Sequence, residues 1–181
     1  MNKKSTLNLV LSAMLLAVGL VLPFLTGQIQ QIGNMLLPMH LPVFLCAFVC
    51  GWQYACAVGF SLPLIRSLWF GMPMLYPNAI AMSLELAVYG AVAGIIYRLI
   101  GRRKVWAVYA AMLPAMLIGR IAWGGAQYIL LGIKDSEFTA GAFFAGAVTN
   151  AIPGILLQLV LVPAVVGAFN AKGYGSNECN G

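Results

Sequence analysis

The fold that this sequence predicts is an all-α membrane protein with six transmembrane helices and both termini in the cytoplasm. Three observations predict it. Of the 181 residues, 62% are hydrophobic and 8% are charged, whereas soluble domains run nearer half apolar and a quarter charged. The apolar residues gather into runs, and about 20 residues of helix cross the hydrocarbon core of a bilayer. The basic residues fall between the runs and mostly on one side. The length fits one domain, residues 1–181, with no hydrophilic stretch long enough for a second.

The first helix is expected over residues 5–25. Lys3 and Lys4 before an apolar run also suit a signal peptide, but the run is long for a signal core and no small-x-small cleavage site follows, so it reads as a retained helix. A polar, uncharged loop follows, with Gln28, Gln30, Gln31 and Asn34. The second and third helices, 40–54 and 55–70, are short, as transporter helices are where they line a cavity. Gly51-Trp52-Gln53-Tyr54 reads as the turn between them. Gly71-Met72-Pro73 breaks the chain, and Pro77 suits the first turn of a fourth helix, 77–100. The fifth covers 105–131. The sixth covers 139–169, with Pro153 and Pro163 as kinks, and the tail 170–181 is expected to be disordered.

Lys3, Lys4, Arg98, Arg102, Arg103, Lys104 and Lys172 fall on one side of a six-helix arrangement. The other side has Lys134, beside Asp135 and Glu137. Basic flanks mark the cytoplasmic side, so the net charge of +6 reads as a topology signal and not as a nucleic-acid surface. The chain has no GxxxxGK[ST], HExxH, CxxC or GxSxG. Cys46, Cys50 and Cys56 read as small apolar residues in a membrane segment. No catalytic residue, metal site or cofactor is expected, and the chain is not read as an enzyme.

The residues that carry chemistry lie inside the apolar runs. A charge at a helix centre costs about 2.5–3.5 kcal/mol on insertion scales, so such residues face a protein interior or a cavity. His40, Arg66, Glu85 and Arg120 are the titratable ones. Counted from the outer helix ends at 1.5 Å per residue, Arg66, Glu85 and Arg120 lie roughly 8, 14 and 18 Å deep. Asn150 lies at a depth similar to that of Arg120, and His40 at the outer rim. Glu85 neutralises only one arginine. The other is left for a ligand carboxylate, which a guanidinium fork matches. Trp123 and Gln127 follow Arg120 at helical spacing, and Asn78 precedes Glu85 in the same way. With Asn34 in the first loop, these residues outline a pocket open to the outside.

Ala13 and Ala17 stand four apart in the first helix, a shallow notch where another helix can approach closely. In this context Ala13-Met14-Leu15-Leu16-Ala17 resembles the AxxxA signature of the S components of energy-coupling factor (ECF) transporters. Pro38-Met39-His40-Leu41-Pro42-Val43, Gly71-Met72-Pro73-Met74-Leu75-Tyr76-Pro77-Asn78-Ala79 and Asn150-Ala151-Ile152-Pro153-Gly154 are similar to segments of the same family. The resemblance implies a multi-pass protein of the bacterial plasma membrane that captures a small vitamin from outside. It also implies docking, through Ala13 and Ala17, on a transmembrane coupling protein that carries two ATPase subunits. The first loop and residues 71–77 would close the pocket. The resemblance is nearest the branch that takes up pantothenate, an anion. The alternatives are a neutral vitamin such as pyridoxine, or a structural or assembly protein pinned by a buried Arg–Glu network.

Overall fold

The computed structural model describes residues 3–26, 37–101, 105–132 and 152–171. Six α-helices follow one another among the described residues: α1 (Lys3–Val21), α2 (His40–Val49), α3 (Trp52–Phe70), α4 (Ile80–Ile100), α5 (Val105–Gly132) and α6 (Ile152–Ala171). A 3-10 turn, Leu22–Thr26, continues α1, and a π-helical turn, Leu75–Ala79, leads into α4. No strand occurs among the described residues. Among the described residues, four helical stretches are long and apolar enough to cross a membrane: Ser5–Phe24, Leu75–Ile100, Trp106–Leu131 and Ile152–Phe169. The helix α3 has 19 residues, but Gln53 and Arg66 dilute its apolar content. The 10-residue α2 is apolar and short.

The turn between α2 and α3 is tighter than the expected 51–54. The helix α2 ends at Val49, Gly51 takes φ +105°, and α3 already begins at Trp52. A positive φ of this kind favours glycine. That conformation lets the chain reverse within two residues, so Trp52, Gln53 and Tyr54 form the first turn of α3. The beginning of the expected sixth helix, residues 139–151, lies outside the described residues, as does most of the tail.

The core sits between α2, α3, α4 and α5. The buried residues Val43, Phe44 and Phe48 of α2 meet Tyr89 and Tyr97 of α4, and Ala111, Met112 and Ala115 of α5 join them. The helices α3 and α4 run antiparallel and almost touch backbones. A Cβ added at Gly59 would lie 2.4 Å from the Leu86 carbonyl oxygen, and one at Gly90 would lie 2.6 Å from the Ala55 carbonyl. Any larger residue at either position would push the helices apart. The helix α1 lies against α2 and α3. Ser5 hydrogen-bonds Tyr54 at one end (3.2 Å), and Gly19 packs on Leu62 and Pro42 at the other.

The outward faces are apolar. Leu68, Trp69, Leu99 and Val160 are each about 70–80% exposed. In water such a surface would aggregate, whereas hydrocarbon suits it. The polar side chains turn inward: His40, Arg66, Glu85, Gln127 and Gln158 are all buried.

Candidate functional site

Glu85 lies near the middle of the apolar stretch Leu75–Ile100 and is 1% exposed. A carboxylate so placed requires cationic or donor partners, and two other helices bring them. From α5, Arg120 places Nη1 3.0 Å from Glu85 Oε1. From the first residue of α2, His40 places Nε2 3.6 Å from the same oxygen. Tyr89, one turn along α4, lies against the His40 ring at 5.1 Å and stacks on Phe44 at 5.4 Å. Three helices therefore converge on one carboxylate.

His40 is not at the rim, where counting from the helix ends would put it. It is 1% exposed and level with Glu85. The reason lies in the three residues before it. Leu37 takes a left-handed conformation, φ +48°, uncommon for a bulky side chain, and α2 starts only at His40. Irregular backbone at such a level is tolerated where its polar groups find partners. The Leu37 carbonyl accepts from the His40 N–H at 3.1 Å and from Gln158 Nε2 on α6 at 3.4 Å. Gln158 was not among the expected site residues. Its signal was there to read: it is the one amide in the apolar stretch Ile152–Phe169.

Nearer the 75–79 turn there is a second polar group. Gln127 of α5 donates Nε2–H to Asn78 Oδ1 at 3.0 Å, and the Tyr76 hydroxyl donates to the Leu130 carbonyl. Both bonds tie the turn to the last part of α5. Trp123, half-buried, stands between Arg120 and Gln127 along that helix. Asn34 and Asn150 lie outside the described residues.

Arg66 has different neighbours. It is 3% exposed, donates Nη1–H to the Leu20 carbonyl at 2.8 Å, and lies over the rings of Phe24 (5.2 Å) and Phe70 (5.6 Å). A cation suits both the carbonyl end of a helix and an aromatic face. Arg66 thus fastens the end of α1 to α3, and Glu85 has Arg120 as its arginine. With both ionised, Arg120 and Glu85 balance each other.

What this cluster can do follows from the atoms left over. Arg120 Nε and Nη2, both ring nitrogens of His40, and Gln127 Oε1 are buried without a hydrogen-bond partner among the described residues. Nε and Nη2 are the side-on fork of a guanidinium, which takes a carboxylate through two parallel hydrogen bonds. Buried polar atoms are normally paired, so a cluster of unpaired ones between helices is ready for a small polar molecule. On α1, Ala13 and Ala17 are both exposed, among the exposed apolar side chains Val10, Met14, Val18 and Val21.

A helical membrane protein that holds unpaired donors and acceptors between its helices has the make-up of a substrate-binding component of a membrane transporter. The chain belongs to the family of substrate-specific components of ECF transporters, whose family model matches residues 7–166. Members bind a small substrate and work with a membrane coupling protein and ATPases; the family is one of transporter components, not of enzymes. Comparison with curated proteins and with solved structures gave no match.

Proposed function

We propose that the chain is the vitamin-capturing subunit of an ECF-type importer in the bacterial plasma membrane, and that its ligand is a small monocarboxylate of the pantothenate kind. The observation that carries this reading is the buried Nε/Nη2 fork of Arg120, unpaired among the described residues. Glu85 holds the other side of the guanidinium, so the fork is fixed in direction before a ligand arrives. Such pre-organisation lowers the entropic cost of binding. The chain crosses the membrane six times with both termini inside, and the site opens outward. The vitamin then passes inward once the subunit has docked, through the Ala13–Ala17 face of α1, on a coupling protein with two ATPase subunits.

A neutral vitamin such as pyridoxine is the second reading. It is favoured by the mutual neutralisation of Arg120 and Glu85, which leaves no full charge for an anion. One experiment separates the two. The detergent-purified chain is stripped of small molecules, these are identified by mass spectrometry, and pantothenate and pyridoxine are titrated calorimetrically. Saturable binding of pantothenate with none of pyridoxine supports the first reading. The reverse result overturns it.

A further inference from the structure

We propose that the Gln127–Asn78 amide pair is a second recognition point, which reads a hydroxyl or amide group on the far end of the same ligand whose carboxylate Arg120 holds. This rests on the reading of Arg120 given above. Arg120, Trp123 and Gln127 occupy positions i, i+3 and i+7 of α5 and share one face of the helix. Seven residues at 1.5 Å each separate the levels of Arg120 and Gln127 by about 10 Å.

Gln127 is 4% exposed, and its Oε1 has no hydrogen-bond partner among the described residues, while its Nε2–H is taken by Asn78. A buried amide oxygen in that state calls for a donor. Half-buried Asn78 keeps amide hydrogens beside it. The pair therefore presents an acceptor and donors side by side. Exchanging nitrogen and oxygen in both amides leaves the same set, so the conclusion does not depend on how the amides are turned. A hydroxyl gives and accepts at once and satisfies the pair in either orientation. Nor is Gln127 needed merely to hold the turn, since the Tyr76 hydroxyl already ties it to the Leu130 carbonyl.

The ligand class that follows is elongated: a carboxylate at one end and a hydroxyl or amide about 10 Å from it. Its carboxylate points to the middle of the helices, and its polar end to the 75–79 turn. A ligand with polar groups on one compact ring meets only one of the two points.

The test pairs a ligand change with a protein change. Pantothenate and N-(3,3-dimethylbutanoyl)-β-alanine, the same skeleton with both hydroxyls replaced by hydrogen, are titrated calorimetrically into the full chain in nanodiscs. The unmodified protein should bind the second compound at least about tenfold more weakly. Gln127→Leu, and independently Asn78→Ala, should bind the two compounds within about twofold of each other, because the contact that told them apart is gone. Arg120→Lys should weaken both compounds by one common factor and leave their ratio intact. If the unmodified protein binds both equally, or if the ratio persists in Gln127→Leu, the second recognition point is refuted while the Arg120 reading stands. If pantothenate does not bind the unmodified protein at all, both fall together.

Discussion

Arg120→Lys is the substitution that separates ligand recognition from structure at this site. Arg120 has two duties. Its Nη1 lies 3.0 Å from a Glu85 carboxylate whose side chain is 2% exposed, and its Nε and Nη2 are unpaired among the described residues. Alanine removes both duties together. Breaking a buried ion pair from one side costs about 3–5 kcal/mol of stability, so loss of binding in Arg120→Ala would prove little. Lysine keeps a cation for Glu85 but has no planar fork. We expect Arg120→Lys to stay within about 1 kcal/mol of the original stability, as a surviving pair implies. Its affinity for pantothenate should fall by the worth of a charge-assisted hydrogen bond, about 1.5–3 kcal/mol, or roughly 10- to 150-fold in Kd. The assay is thermal melting in detergent with and without ligand, alongside calorimetric titration. The double variant Arg120→Ala/Glu85→Ala provides a second check. It removes the pair as a unit, which costs less stability than orphaning one charge, and should still fail to bind. Wild-type affinity in Arg120→Lys would refute the assignment of the fork to the ligand.

Four further outcomes are expected. Arg66→Gln should lower stability by about 1–3 kcal/mol through loss of the Leu20 carbonyl bond and the Phe24 and Phe70 contacts, while ligand affinity in the folded fraction is kept; a large loss of affinity with unchanged melting would place Arg66 at the ligand instead. Gly59→Ala should cost about 1–3 kcal/mol, because its Cβ would meet the Leu86 carbonyl at 2.4 Å, whereas Gly125→Ala, with nothing within 4 Å, should be neutral or stabilising by up to about 1 kcal/mol; equal melting of the two variants would contradict the close packing of α3 on α4. The pair Ala13→Arg and Ala17→Arg should abolish uptake and co-purification with the coupling module but leave ligand binding by the isolated chain intact, and normal uptake would remove the docking assignment. In a cysteine-free background, a cysteine at the exposed Met72 should react with an impermeant reagent in intact cells while one at the exposed Gly101 stays shielded; the opposite pattern would invert the topology.

The helices were legible because an apolar run and its polar break are local properties. Gly71-Met72-Pro73 ends α3 at Phe70, and Gly101 ends α4, both near where the breaks predict. Polar residues inside those runs were also visible one by one. What the chain order does not carry is register between helices. Glu85 is 19 residues from Arg66 and 35 from Arg120, and helical spacing cannot say which one faces it. Packing decides. The close approach of α3 and α4 is set by Gly59 and Gly90, whose importance appears only once Leu86 and Ala55 lie opposite them. The level of His40 was missed for a related reason. Depth was counted from a helix end placed at the surface, whereas α2 begins beside Glu85.

That short helix also explains why a carboxylate is tolerated in so apolar a setting. The ten residues of α2 rise about 15 Å, near half the thickness of a hydrocarbon core. Its first residue lies within 3.6 Å of Glu85. The helix therefore brings the His40 ring to that level. Glu85 is met from α5 by a full charge and from α2 by a ring. A second helix running the whole length beside α4 would place ordinary mid-helix backbone at Glu85, with every N–H already paired. The site would then lose its histidine edge. The irregular backbone at Leu37 that the short helix requires is made safe by Gln158, which gives an amide hydrogen to the Leu37 carbonyl from α6. The polar residues of α2, α4, α5 and α6 thus depend on one another: Gln158 supports the break before His40, the break sets His40 against Glu85, and Glu85 aims the free fork of Arg120.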